Sequence, residues 1–346
     1  MKYRSFLYRY LFFLIFFHLT GLLCVAQNNN TEVVLDSIPS WMLKAKVPVM
    51  GVGIIENGKI KIVKVLGTFD NGKPAPLNTL FNVASLTKPV TALTILKLVN
   101  AGKLILDEPL YKYWLDPELK GNLWYKKLNT RLILSHQTGF PNWRSDTLKF
   151  IFEPGTKFGY SGEGFEYLRK AAEAKFHTDL QQLAYVNVFK PLRMQNTRYG
   201  WSTTLDSTRF ANPHDGKGKL IASTKLSKTN AADWLVTTIQ EYTTFGVYFM
   251  NGGELSKSLF KEIVTPQVNI TPNAKETMGL GWEVIRNLES GGYLLMHTGQ
   301  DSGVNTLIVL LPESGKGIVL LSNSDNGFDV MKQILKNSLN IKEITP

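Results

Sequence analysis

Strand signals sit near the two ends of this chain and are missing from its middle. Met50 to Ile55 and Lys59 to Leu66 read as strands joined through Asn57-Gly58, a dipeptide suited to a tight hairpin turn. The next strands are predicted only near Gly281. Trp282 to Asn287 and Tyr293 to His297 flank the turn Glu289 to Gly292, and Thr306 to Leu311 and Gly317 to Leu321 flank Pro312 to Lys316. Thr31 to Lys46 carries Val34, Ile38, Trp41 and Met42 at helical spacing, and Asn326 to Leu339 predicts a closing helix. Between Val90 and about Asp215 the pattern is mostly helical, with loops rich in Pro, Gly and Asn. Strands that are far apart in sequence but share one period pair most simply in one sheet. The expectation is therefore an α+β fold, α/β in the broad sense. One antiparallel sheet is built from N- and C-terminal strands and flanked by helices, and a mostly helical domain is inserted. Residues 31–340 would form this unit, the sheet part at about 31–89 and 226–340 and the insert at about 90–225. Gly51 and Gly53 lie inside a strand, which suggests close backbone packing, not a phosphate loop.

The first 26 residues read as a signal peptide. Lys2, Arg4 and Arg9 form a basic start, Leu11 to Leu23 is almost wholly apolar, and Cys24-Val25-Ala26 offers small residues for cleavage after Ala26. The expected location is periplasmic or secreted, with membrane contact only through this segment if it stays attached. Cys24 is the single cysteine, so a mature chain would have no disulfide, thiol nucleophile or thiolate metal site. The formal charge is +11, three of the cations lie in the leader, and the other lysines are scattered among carboxylates. No basic block with interleaved aromatics and no nucleic-acid motif is present, so no nucleic-acid partner is expected. His177 and His214 have no partners at metal-ligand spacing, and neither a metal nor another cofactor is expected.

Chemistry enters at Ser85-Leu86-Thr87-Lys88, just before the apolar run Val90 to Val99. That run predicts a buried helix, with Pro89 tolerated in its first turn and Gly102 closing it. Residues i and i+3 share a helix face, so the Ser85 hydroxyl and the Lys88 amine can meet, and the positive helix end favours an alkoxide. A second Ser-x-x-Lys, Ser258 to Lys261, reads as ordinary surface helix. Two segments downstream set Ser85 apart. Phe158 to Gly164 is a Gly-rich loop carrying Tyr160, and His297-Thr298-Gly299-Gln300 ends a predicted strand.

In this order the pieces resemble the serine β-lactamase and penicillin-binding-protein superfamily, in particular its class C β-lactamase and D-Ala-D-Ala carboxypeptidase branch. That branch carries Ser-x-x-Lys, Tyr-x-Asn and Lys-Thr-Gly or His-Thr-Gly. Leu134 to Phe140, Pro191 to Met194 and Gly279 to Trp282 add to the likeness, which covers roughly residues 40 to 335. The resemblance implies Ser85 as acylated nucleophile, Lys88 and Tyr160 sharing the proton work, and His297 and Thr298 lining the strand side with Gly299. It also implies an oxyanion hole from the backbone N–H groups of Ser85 and Gln300. The physics is compatible. Only about one free lysine in two thousand is neutral at pH 7, so a base at position 88 needs its pKa lowered by about three units.

Two departures shape the expected substrate. Gly162 stands where the pattern has Asn, removing an amide that could hold a substrate carbonyl. His297 stands where many members have Lys, and an imidazole near its ordinary pKa is mostly neutral at pH 7. Both point away from an efficient β-lactamase and toward a peptidase, amidase or esterase. The substrate would be a small molecule or peptide, a peptidoglycan-derived one among the options. The alternative is a non-catalytic or slowly turning over protein that binds cell-wall peptide or β-lactam on the same fold. His136 reads as structural, hydrogen-bonding the backbone, and Asp107-Glu108 as a turn.

Overall fold

The computed structural model describes residues 34–222, 225–271, 275–289 and 291–338. The expected leader, 1–26, lies outside them, as do Thr31 to Val33 of the expected first helix, Ser290, and the chain from Leu339. Helix α1 spans 34–45. It leads into the hairpin of β1 (Val49–Glu56) and β2 (Lys59–Gly67). Asn57 and Gly58 take φ of 52° and 68°, the left-handed pair that a two-residue hairpin turn requires.

The chain then runs through β3 (Leu80–Asn82), a 3-10 turn at Ala84–Leu86, and α2 (Thr87–Asn100). Helices α3 (Thr130–Leu134), α4 (Gly162–Phe176) and α5 (Leu180–Ala184) come next, then β4 (Arg198–Tyr199), β5 (Leu235–Thr238), α6 (Ile239–Met250) and α7 (Lys257–Val264). Strands β6 (Val268–Asn269), β7 (Glu276–Met278), β8 (Glu283–Arg286), β9 (Tyr293–Asp301), β10 (Val304–Leu311) and β11 (Lys316–Ser322) precede α8 (Gly327–Ser338).

The main sheet has eight strands in the order β2-β1-β11-β10-β9-β8-β7-β6, all antiparallel. The N-terminal hairpin is therefore completed by the last strand, Met50 facing Ser322 and Ile55 facing Gly317. Helices cover both faces. Ile38 and Met42 of α1 and Val330 and Ile334 of α8 pack with Leu307 and Val309 on one side, while α2 and α6 pack with Ile308 and Leu310 on the other. This explains why β10 is an unbroken apolar run: both of its faces are buried. The close packing expected at the strand glycines is present. A Cβ at Gly53 would lie 2.0 Å from Thr243 Oγ1, and one at Gly51 would lie 3.0 Å from Ile239 Cβ, both on α6.

Two expectations are corrected. Strands resume well before Gly281, since β4 and β5 pair with β3 in a separate three-stranded sheet, and β6 and β7 extend the main one. These strands are two to four residues long, too short to show a period. The stretch Val90 to Asp215 is also less helical than its composition predicts, and residues 135–161 contain no helix or strand. Gly139, Pro141, Pro154, Gly155 and Gly159 interrupt every run there, while Phe140 and Leu148 still reach the core from loop backbone.

Candidate active site

The turn after β3 is built to present one hydroxyl. Every residue from Leu80 to Leu96 is buried except Ser85. Asn82 Oδ1 accepts the Ala84 N–H at 2.9 Å, and the Val83 carbonyl accepts the Thr306 hydroxyl at 2.8 Å. The Leu86 carbonyl accepts the Tyr242 hydroxyl at 2.7 Å. Thr87 Oγ1 donates to the Ala84 carbonyl at 2.6 Å and accepts the Leu235 N–H at 2.9 Å. Ala84 has φ of 48°, a left-handed conformation that costs a residue with a Cβ about 1–2 kcal/mol. The surrounding bonds from β5, α6 and β10 hold it there.

One helical turn on, Lys88 Nζ lies 2.9 Å from Ser85 Oγ and 2.8 Å from the Ala232 carbonyl. Its side chain has no exposure to solvent. Burial pulls its pKa from 10.5 down to about 7, against the Asp233 carboxylate, which favours the charged form. Near neutrality much of the amine is therefore uncharged. The Ala232 carbonyl can only accept, so it takes one N–H and leaves the nitrogen lone pair free to take a proton from Ser85. The Asp233 carboxyl is itself pushed up to about 6, first by burial and then by the charge of Asp301, while the Trp234 N–H and Lys88 pull it down.

Tyr160 packs against this pair, its ring centroid 4.7 Å from Lys88 Nζ. Burial pushes the phenol well above its ordinary range, and its interaction with the Ser85 hydroxyl opposes that shift. The group is therefore a neutral O–H, a donor near Ser85. The His136 ring packs 4.4 Å from the Tyr160 ring. Its Nδ1 accepts the Ser161 N–H at 3.0 Å, so the proton sits on Nε2, which is buried and finds no partner among the described residues. Burial, then the charge on Lys88, then His297, drive its pKa well below 6.5.

The strand side is made by β9. Strand β8 pairs with β9 only from Tyr293 to Met296, so residues 297–301 present an edge that β8 does not cover. The Ser85 turn fills that gap. A Cβ at Gly299 would stand 2.2 Å from Thr306 Oγ1, 2.6 Å from the Val83 carbonyl and 3.1 Å from Ser85 N. His297 shares the Gly299 face, and Thr298 and Gln300 alternate onto the other. His297 Nδ1 lies 2.7 Å from the Thr298 carbonyl, so that nitrogen carries the proton. Burial, then the charge on Lys88, push its pKa down to about 3, with the carbonyl bond opposing. His297 is an uncharged ring at any ordinary pH.

Ser85, Lys88, Tyr160, His297 and Gly299 thus converge on one place, with Thr298 and Gln300 on the same strand edge. Gly162 opens α4, and a Cβ there would lie 2.6–2.8 Å from three carbons of the Trp143 ring. His136 does bond the backbone, and Ser258 is an exposed residue of α7, as expected of each. The sequence reading missed the Ala232 carbonyl, Asp233 and Trp143. Nothing in the local sequence marks a carbonyl as an amine's partner. The run Asn142-Trp143-Arg144 lies in a stretch without periodicity.

Residues 35–338 match the protein family described as Beta-lactamase. Protein flp of Staphylococcus aureus (strain MW2) is 24% identical over 335 residues, an alignment covering 87% of this chain and 64% of that protein. The chain thus spans a little under two thirds of the length of that relative. Among solved structures, the octameric penicillin-binding protein homologue from Pyrococcus abyssi aligns with a TM-score of 0.76 and 22% identity, over 88% of this chain and 76% of that one. The D-alanine carboxypeptidase AmpC from Burkholderia cenocepacia also gives 0.76, with 20% identity, over 90% of this chain and 99% of that one. At such identities the two structures show a shared fold.

Proposed function

Because this chain belongs to the Beta-lactamase family, we propose that it is an exported serine hydrolase working through an acyl-enzyme on Ser85. The single observation that carries the reading is the 2.9 Å contact of the Ser85 hydroxyl with a fully buried amine whose pKa is about 7. In the first step the Ser85 O–H proton passes to Lys88 Nζ as the oxygen bonds to the substrate's carbonyl carbon. The backbone N–H groups of Ser85 and Gln300 would hold the oxyanion, each donor being worth about 3–4 kcal/mol of barrier. The leaving group departs with a proton returned through Lys88 or Tyr160, and water then releases the acyl group.

The substrate is an amide or ester, a D-amino-acid peptide or a small ester ahead of a β-lactam. The state of His297 supports a neutral group on the strand side, since a ring with pKa about 3 offers no charge to a carboxylate. The D-alanine carboxypeptidase and penicillin-binding names belong to the structural neighbours, and for this chain those substrates remain part of the proposal. The test is intact mass after exposure to a fluorophosphonate, a panel of β-lactams and short esters. An adduct on Ser85 that is absent in Ser85→Ala is expected. No adduct under any reagent would leave the binding-protein alternative in its place.

A further inference from the structure

Against Gly162, two residues after Tyr160, stands an aromatic residue that is both half exposed and rigidly mounted. Trp143 keeps 43% of its surface accessible, yet its six-membered ring occupies the space that a side chain at residue 162 would fill. The backbone on each side of it is sewn to the first turn of α4. Asn142 Oδ1 accepts the Gly162 N–H at 2.9 Å, and the Asn142 carbonyl accepts the Glu163 N–H at 3.0 Å. The Pro141 carbonyl accepts the Ser161 hydroxyl at 2.8 Å. Arg144 donates from Nε and Nη2 to Glu163 Oε2 at 3.0 and 2.8 Å, and from Nη1 to Glu118 Oε2 at 2.8 Å. A tryptophan packed only for stability would bury its ring. This one is fixed at its base with much of its ring left open, and the residue it packs against, Gly162, is two residues beyond Tyr160, whose phenol interacts with Ser85.

We propose that Trp143 is a stacking platform for a flat, apolar group next to the bond that Ser85 attacks, with Gly162 kept bare to make room for the indole. The inference rests on the serine-hydrolase reading and narrows its substrate class to esters or amides bearing an aromatic or otherwise planar apolar substituent. Aromatic pairs in offset or edge geometry favour one another by an amount equivalent to about three- to tenfold in a rate or binding ratio.

Three vinyl or phenyl esters separate the possibilities: vinyl acetate with no ring, vinyl phenylacetate with a flat ring on the acyl side, and phenyl acetate with one on the leaving side. The readout is the rate of Ser85 acylation by mass or stopped flow, each divided by the ester's own alkaline hydrolysis rate. One flat ester should outrun vinyl acetate by at least about threefold, and which one does so identifies the side. That advantage should vanish in Trp143→Ala, survive in part in Trp143→Phe, and fall in Gly162→Ala, whose new methyl displaces the ring. Thermal midpoints report folding, and Trp143→Phe carries the test if the alanine variant is unfolded. An advantage that persists unchanged in the variants, or none in the wild type, overturns the platform while leaving the hydrolase intact. Failure of both esters and a fluorophosphonate to modify Ser85 overturns the platform together with the reading beneath it.

Discussion

A lysine without solvent is expensive, and Lys88 shows what the expense secures. Its pKa falls from 10.5 to about 7, which at pH 7 corresponds to about 4 kcal/mol of lost stability relative to the unfolded chain. The folded form binds fewer protons than the unfolded one between about pH 7 and 10.5, so this penalty shrinks as pH rises through that window. Lys88→Met should therefore stabilise the protein at pH 7 by about 1–3 kcal/mol in denaturant titration, less at pH 10, while abolishing acylation of Ser85. In the wild type, the acylation rate should climb about tenfold per pH unit below 7 and level off above it, as the amine loses its proton. Tyr160→Phe should lower that plateau by about 10²–10³ without moving its midpoint, because the phenol stays protonated throughout. The Ser85–Lys88 pair was legible, since three residues on a helix fix the geometry. The depth of burial that lowers the Lys88 pKa was not, because it comes with Tyr160, Phe165 of α4 and the loop at Ala232, remote in sequence.

At the scale of elements, the site is a joint between the Ser85 turn and a strand edge that β8 leaves unpaired. The contact leaves no room for a methyl group, as the distances around Gly299 show. Gly299→Ala should push β9 away from Ser85 N, cutting acylation by more than about 100-fold at a stability cost of about 1–3 kcal/mol, with kinetics and denaturation read side by side. The strand carrying Gly299 could be read from its apolar pattern up to His297, where the expectation stopped. It continues to Asp301 because β10 pairs with it from Leu295 to Asp301, and no local sequence records a partner's length. Strand β5 escaped for a related reason. Leu235-Val-Thr-Thr is a β-branched run, but it passes straight into α6, and its partners β3 and β4 are equally short.

For the molecule as a whole, the division of the sheet between the chain's two ends was the firmest expectation, and hairpin signals in both halves carried it. Those signals could not show the seam. Asn323, just after β11, accepts the Val49 N–H on Oδ1 at 2.9 Å and donates from Nδ2 to the Asn212 carbonyl at 2.7 Å. His214, in the same loop, bonds Asp70 at 2.7 Å. Beginning, middle and end of the chain are tied there by one buried amide. Asn323→Ala takes the acceptor from the Val49 N–H and leaves the Asn212 carbonyl to the His214 ring, and should cost about 1–3 kcal/mol in chemical denaturation.

The way β9 closes against the Ser85 turn has a consequence for the order of events as the polypeptide is made. The hydroxyl and its amine neighbour leave the ribosome long before the strand that would cradle a reacting carbonyl. On the serine-hydrolase proposal, a half-synthesised chain would hold a serine no more reactive than any other. The Ser85 pocket is complete only late, when the last third of the polymer folds back beside the first.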